Sequence, residues 1–487
     1  MRRDNQGATA QPTKTQIPEK SRQRQSTATL KNEKNGFLKK KNTLAPWLIT
    51  LLFLTLFSNA VLKAQAQTYP AAYVSEAIAT SHSLRQQELL LEKSLLALEE
   101  ARKLYWPELG FGATYTLAAG GRSIFIPVGD LVNPVYATLN QLLMSNAFPQ
   151  IENEKEQFLP NNFYDARFRI RQPLLQREIY FNRRIKETAI SLREAEIRAF
   201  RRELTRDVKI AYYRYLQSGE AVRIYDNALA LLAENQRVNE SLLRNDKIIP
   251  SVLTRLAAEM AAVEARRLEA LNNRKNAAAY LNFLLNRSPE TPIETDSSHW
   301  KELPATMEVF TAPGRKEELE QLQAARQMNA LATEMKEAWR VPKVGLQLDL
   351  GSQNFDFDWG GYVLAGLSVE VPLWTAGRNE LQTEQSRLEG RALAEQEKQL
   401  TAALALQEFT ARNNLMTALE TWRSFEGRLD SARRHYRDTS LRYKEGMANY
   451  LELLDARSQL TDTELQQSLA QFQTLISKAE WERAAGL

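Results

Sequence analysis

Between Pro173 and Pro250 the chain has no proline, and after Pro372 it has none at all. Residues 177–244 and 379–445 therefore read as two uninterrupted helices, each on the order of 100 Å long at about 1.5 Å per residue. Helices of that length outrun a single globular domain and need companions along their whole flank, as in a coiled coil or a tube. The sequence supplies them. The shorter helical patterns 75–105 and 251–286 sum to one long helix, as do 314–340 and 448–485. Two short helices stacked end to end are thus expected to lie antiparallel along each long one. Stripes such as Leu253, Leu256, Met260, Val263 and Leu465, Leu469, Phe472, Ile476 read as the packing seams.

The same plan occurs twice. "ARKLYWPELGFGATYTL" in the first half and "MKEAWRVPKVGLQLDLG" in the second both run helix, proline, strand, with Pro107 matching Pro342. "ARFRIRQPLLQ" matches "GLSVEVPLWTA", with Pro173 matching Pro372. The first pair is 235 positions apart and the second 199, so the first copy holds extra residues near 119–160, expected to be a loop insertion. Residues 1–66 precede the first repeat, 67–313, and the second repeat is 314–487. Residues 287–313, with Pro289, Pro292, Pro304 and Pro313, are expected to form a loop-rich connection.

Four strands alternate with a period of two. Leu109, Phe111, Ala113, Tyr115 and Leu117 share a face, as do Tyr164, Ala166, Phe168 and Ile170 opposite Asp165, Arg167, Arg169 and Arg171. Val344, Leu346, Leu348 and Leu350 oppose Asp349 and its neighbours, and Val363, Ala365, Leu367, Val369 and Val371 oppose Ser368 and Glu370. No second sheet is available to cover the apolar face. Lipid is the alternative, with Tyr105, Trp106, Trp359, Tyr362 and Trp374 at the strand ends, where interfacial aromatics belong. Four strands cannot close by themselves and an open edge cannot persist in lipid, so this reading requires several chains to complete a barrel. A small water-exposed sheet on a periplasmic coiled-coil scaffold or adaptor is the competing reading.

The net charge of +5 misleads. Residues 1–66 carry 12 Lys and Arg against 3 Asp and Glu, and the remainder carries 52 against 56, so the body is slightly acidic and offers no phosphate-tracking field. The leader has a basic segment, Lys39 to Lys41, the apolar run LAPWLITLLFLTLF and the small-residue pattern Ala64-Gln65-Ala66, which together predict a secretory signal behind a long basic extension. There is no cysteine, and His82, His299 and His435 lack metal-ligand spacing. No phosphate loop or nucleophile elbow occurs, so neither an enzyme nor a cofactor is expected.

With this element order, "VPLWTAGRN" at 371–379 and "RYKEGMANYLELLDARSQL" at 442–460, the chain resembles the TolC family of outer-membrane efflux proteins over nearly all of 67–487. The resemblance implies a mainly α fold of tandem helix hairpins, forming a trimeric α-helical barrel, with four strands per chain contributed to a transmembrane β-barrel. It also implies a passive outer-membrane conduit with a periplasmic tunnel, a homotrimer that meets a periplasmic membrane-fusion adaptor and an inner-membrane pump. The tips of the hairpins would then be "RNDKIIPSVLTRLAA" at 244–258 and "RYKEGMANYLELLDA" at 442–456.

On that resemblance Glu452 and Asp455, three positions apart on one helix face, form an acidic ring at the tunnel entrance that favours cations. As residues alone they fit compensation of a helix N-terminus better than a ring. Gly446 supplies the turn, and Tyr443 either lines the constriction or packs between hairpins. Thr254 and Ala448 stand where the family's acidic and basic gating partners are expected, so that lock is not matched. Asp246, Lys247, Lys444 and Glu445 are the exposed tips that would face an adaptor. Arg167, Arg169 and Arg171 would face the barrel lumen, paired with Asp349 and Glu370.

Overall fold

The computed structural model describes residues 69–295, 314 and 316–487. The predicted leader and most of the connection 287–313 lie outside them. In chain order the elements are α1 (Ala71–Thr80), α2 (His82–Lys103), β1 (Glu108–Thr116), β2 (Ser123–Ile126), α3 (Val128–Leu142), β3 (Glu154–Gln157) and β4 (Phe163–Leu175). There follow α4 (Arg177–Arg244), α5 (Ser251–Leu284), α6 (Glu317–Glu337), β5 (Lys343–Phe355), β6 (Gly361–Glu370), α7 (Arg378–Lys444) and α8 (Tyr450–Ala485).

The two long helices are unbroken over 68 and 67 residues. α2 and α5 pack along α4, and α6 and α8 pack along α7, as the lengths predict. The first short helix differs from expectation. It breaks at Ser81, which turns to an extended conformation and accepts the Leu84 N–H at 3.1 Å, capping α2. α4 also contacts α6 and α8, which joins the first-half helices to the second-half ones. Ion pairs reinforce that seam: Arg198 with Glu320 at 2.5 Å, Lys209 with Glu482 at 2.7 Å, and Arg483 with Glu203 at 2.9 Å, while Arg483 also ties α8 to Glu318 of α6 at 3.1 Å. The largest apolar core gathers Tyr73, Val208, Tyr212, Leu281 and Phe472 from α1, α4, α5 and α8. All of this lies within Gln67–Leu487, one compact unit.

The main sheet has the order β1-β4-β5-β6, antiparallel throughout, which leaves β1 and β6 as open edges. The register puts Phe111, Phe168, Leu350 and Val363 in one row across all four strands. Every one of these four side chains is exposed in the single chain. Arg169 and Asp349 are opposite each other on the other face. Trp106, Trp359 and Trp374 stand 72%, 83% and 84% exposed near the strand ends. Tyr362 departs from that girdle: its hydroxyl donates to Asp165 Oδ1 at 3.0 Å, on the arginine face.

The insertion near 119–160 is more than a loop. β2 and β3 pair with each other, and α3 lies between them in sequence. A run with so few charges folds onto itself rather than extending into water.

Candidate functional site at the hairpin tips and the polar sheet face

Both long helices end in the same way. A residue with positive φ, Asp246 at 53° in the first tip and Gly446 at 74° in the second, reverses the chain. The Asp246 and Gly446 N–H groups donate to Leu243 O at 3.0 Å and Tyr443 O at 3.1 Å. Those of Lys247 and Met447 reach back to Leu242 O at 2.9 Å and Arg442 O at 2.8 Å. This is a Schellman closure, which satisfies carbonyls that a helix end leaves bare. The returning helices start differently: α5 follows Pro250, whereas α8 is capped by Asn449.

That cap involves one of the predicted acids. Asn449 Oδ1 accepts the Glu452 N–H at 3.0 Å, and the Asn449 N–H and side-chain amide donate to Glu452 Oε1 at 3.4 and 2.7 Å. Glu452 therefore closes a capping box, and it is exposed together with Asp455. Service to the helix N-terminus and presentation of a carboxylate to solvent coexist at this residue. Asp246, Lys247, Lys444 and Glu445 are all exposed at the turns, as is Thr254 in the first turn of α5.

Tyr443 is buried between the hairpins, and its hydroxyl donates to Asn239 Oδ1 of α4. It belongs to an apolar cluster with Leu232, Leu256, Val263, Tyr450 and Leu453. Burial raises the Tyr443 hydroxyl above its ordinary value and pushes Tyr450 up to about 12. Both tyrosines are accordingly neutral, and the Tyr450 hydroxyl is buried with no partner among the described residues.

Beside this cluster sits a residue that sequence reading missed. Arg457 of α8 is only 2% exposed and donates through Nη2 to Glu259 Oε1 of α5 at 2.5 Å. Its Nε and Nη1 have no hydrogen-bond partner among the described residues. A signal existed: Leu453, Arg457 and Leu460 follow i, i+4, i+7, so the arginine occupies an apolar position of the buried stripe.

On the polar sheet face Arg169 grips Asp349 with two bonds, Nε to Oδ1 at 2.8 Å and Nη2 to Oδ2 at 2.6 Å, while Gln347 donates to Asp349 at 3.0 Å. Arg167 pairs with Asp165 at 2.9 Å rather than with a neighbouring strand's acid. Glu370 stands opposite Lys343 in the register, away from the arginines expected to pair with it, because β6 lies two strands from β4. Arg171 is exposed.

No group of three or more potential metal ligands occurs among the described residues, and none of their helices is long and apolar enough to cross a membrane. Residues 312–487 match the family model for outer membrane efflux proteins. No curated protein matches the chain in sequence. Its fold is similar to that of the outer membrane protein VceC from Vibrio cholerae, with 16% identity, 85% of this chain and 95% of that chain covered, and a TM-score of 0.67. The Campylobacter jejuni CmeC outer membrane channel gives 12% identity, 85% and 85% coverage and a TM-score of 0.67. For the open state of the Neisseria gonorrhoeae MtrE outer membrane channel the values are 17%, 85%, 88% and 0.65. Residues 312–487 thus match an outer membrane efflux protein model, and over 85% of its length the chain shares its fold with solved outer-membrane channels.

Proposed function

We propose that the protein is the outer-membrane channel-tunnel of a tripartite efflux or secretion system, a homotrimeric conduit that meets a periplasmic adaptor and an inner-membrane pump. The observation that supports this best is the four-stranded sheet. Its outer face is apolar and exposed, its other face carries ion pairs, and its two edges are open. A sheet of that kind is stable in lipid only when β1 of one copy pairs with β6 of the next, and so on around a closed ring. The helices support the same ring. Exposed apolar side chains lie on α7 at Leu381, Leu406 and Phe409, and on α2 and α5 at Leu96 and Phe283. Two different surfaces that need cover favour head-to-tail contacts, which close into a cyclic assembly.

Within this reading 67–313 and 314–487 are the two repeats of the mature protein, after a signal peptide in 1–66. Glu452 and Asp455 repeat around the threefold axis as an acidic ring at the tunnel entrance, with Tyr443, Gly446 and Thr254 at the constriction. Asp246, Lys247, Lys444 and Glu445 face the adaptor, and Arg167, Arg169, Arg171, Asp349 and Glu370 keep the barrel lumen wet. The protein acts as a conduit and catalyses nothing.

Electron microscopy of the detergent-extracted protein tests the assembly. A threefold hollow cylinder is expected. A monomer released without detergent, or a solid rod, would overturn the channel and leave a periplasmic scaffold.

A further inference from the structure

Between β1 and β4 the chain builds a small unit whose one helix is anchored along a single face. Asn133 exchanges hydrogen bonds of 2.8 Å with both backbone groups of Ile151, Asn140 does the same with Phe148 at 2.7 and 3.0 Å, and the Tyr136 ring lies 5.4 Å from that of Phe148. Positions 133, 136 and 140 share a face at helical spacing and commit that face to the returning segment. The opposite face of α3 presents Leu131, Val135 and Leu142, continued past the helix end by Leu143 and Met144, all exposed. The stripe is interrupted only by Thr138, whose hydroxyl is turned back to Pro134 O at 2.9 Å, and an exposed apolar face of this kind marks a contact surface.

Charge and position together name the occupant. Over 119–160 there are four acids, Asp130, Glu152, Glu154 and Glu156, against two basic residues, Arg122 and Lys155, neither of them on α3, so the insert is net acidic. An anionic lipid surface attracts basic segments and repels such a stretch. The insert begins directly after β1, the edge strand that another copy must pair in the assembly proposed above. It is therefore continuous with the surface between copies.

We propose that the apolar stripe of α3 packs against the inserts of neighbouring copies of this chain, so that three inserts together narrow the outer mouth of the barrel. The inference rests on the trimeric channel reading, and it adds a second constriction at the end remote from the hairpin tips.

The absence of cysteine makes the test direct. Val135→Cys places a thiol in the stripe, and Ala137→Cys places one on an exposed position outside it. Outer-membrane vesicles that contain either full-length variant are treated with a short bifunctional maleimide, and trimer content is read in parallel on native gels. The expected result is covalent dimers and trimers with Val135→Cys, their loss with Ala137→Cys, and raised single-channel conductance when Leu131, Val135 and Leu142 are all changed to Ser. An intact trimer whose Val135→Cys does not cross-link overturns the inference and leaves the channel standing. If that thiol is also shielded from a water-soluble maleimide, lipid is the occupant. A chain that forms no trimer overturns the channel reading and this inference with it.

Discussion

Arg457 and Glu259 join the two returning helices by a 2.5 Å ion pair just inside the tips, and the arginine is almost wholly buried. Its weight comes from what happens when one partner is lost. Glu259→Ala leaves a buried guanidinium uncompensated and is expected to destabilise the protein by about 3–5 kcal/mol, whereas Arg457→Met, which removes the charge and keeps the volume, costs much less. Thermal unfolding of the two variants in detergent checks the order. Equal losses would show that the pair contributes packing alone.

Tyr443 and Tyr450 lie 6.1 Å apart, ring to ring, and should respond oppositely to removal of a hydroxyl. Tyr443→Phe strips Asn239 of its donor and is expected to cost about 1–3 kcal/mol. The Tyr450 hydroxyl has no partner to lose among the described residues, so Tyr450→Phe should be neutral or slightly stabilising. The pH dependence follows from the raised value of about 12 for Tyr450 against 10.0 for the free side chain. The unfolded chain gives up this proton first as pH rises, so the associated stability is complete below pH 10.0 and is lost toward pH 12. Tyr450→Phe should flatten that alkaline decline, measurable as the unfolding midpoint against pH.

Glu452→Gln with Asp455→Asn is expected to weaken cation preference and block by multivalent cations in planar bilayers. Glutamine retains the acceptor that the capping box needs, so assembly should persist. Glu452→Ala, in contrast, removes the box and should lower stability as well. An unchanged reversal potential in the amide variant would take both carboxylates out of the entrance.

The two tips give a paired backbone test. Gly446→Ala forces a β-carbon into a left-handed conformation and should cost about 1–2 kcal/mol. Asp246→Gly, at the equivalent turn with φ 53°, should relieve strain and raise the melting temperature. Melting curves of the two variants that shift in the same direction would contradict the shared turn geometry.

What could be read before folding was local. Missing prolines set the long helices, period-two alternation set the strands and their apolar face, and Gly446 marked the second turn. The first turn was harder to read because an aspartate takes its left-handed position. The insertion's helix escaped notice because its signal is a stretch of 15 residues with one internal proline, Pro134. Ser81 broke α1 from α2 through a cap that competes with helix continuation only by about the strength of one hydrogen bond.

Residue type at short spacing was enough to give the extents of the two long helices to within a residue and the polarity of each strand face. Only the tertiary structure decided that Arg457 meets Glu259 and that Tyr443 meets Asn239, pairs 198 and 204 residues apart. It also turned Tyr362 inward to Asp165 and set Glu370 apart from the arginines. Such contacts depend on how one hairpin nests against the other and on strand order, and neither is encoded in the period of a helix or a strand.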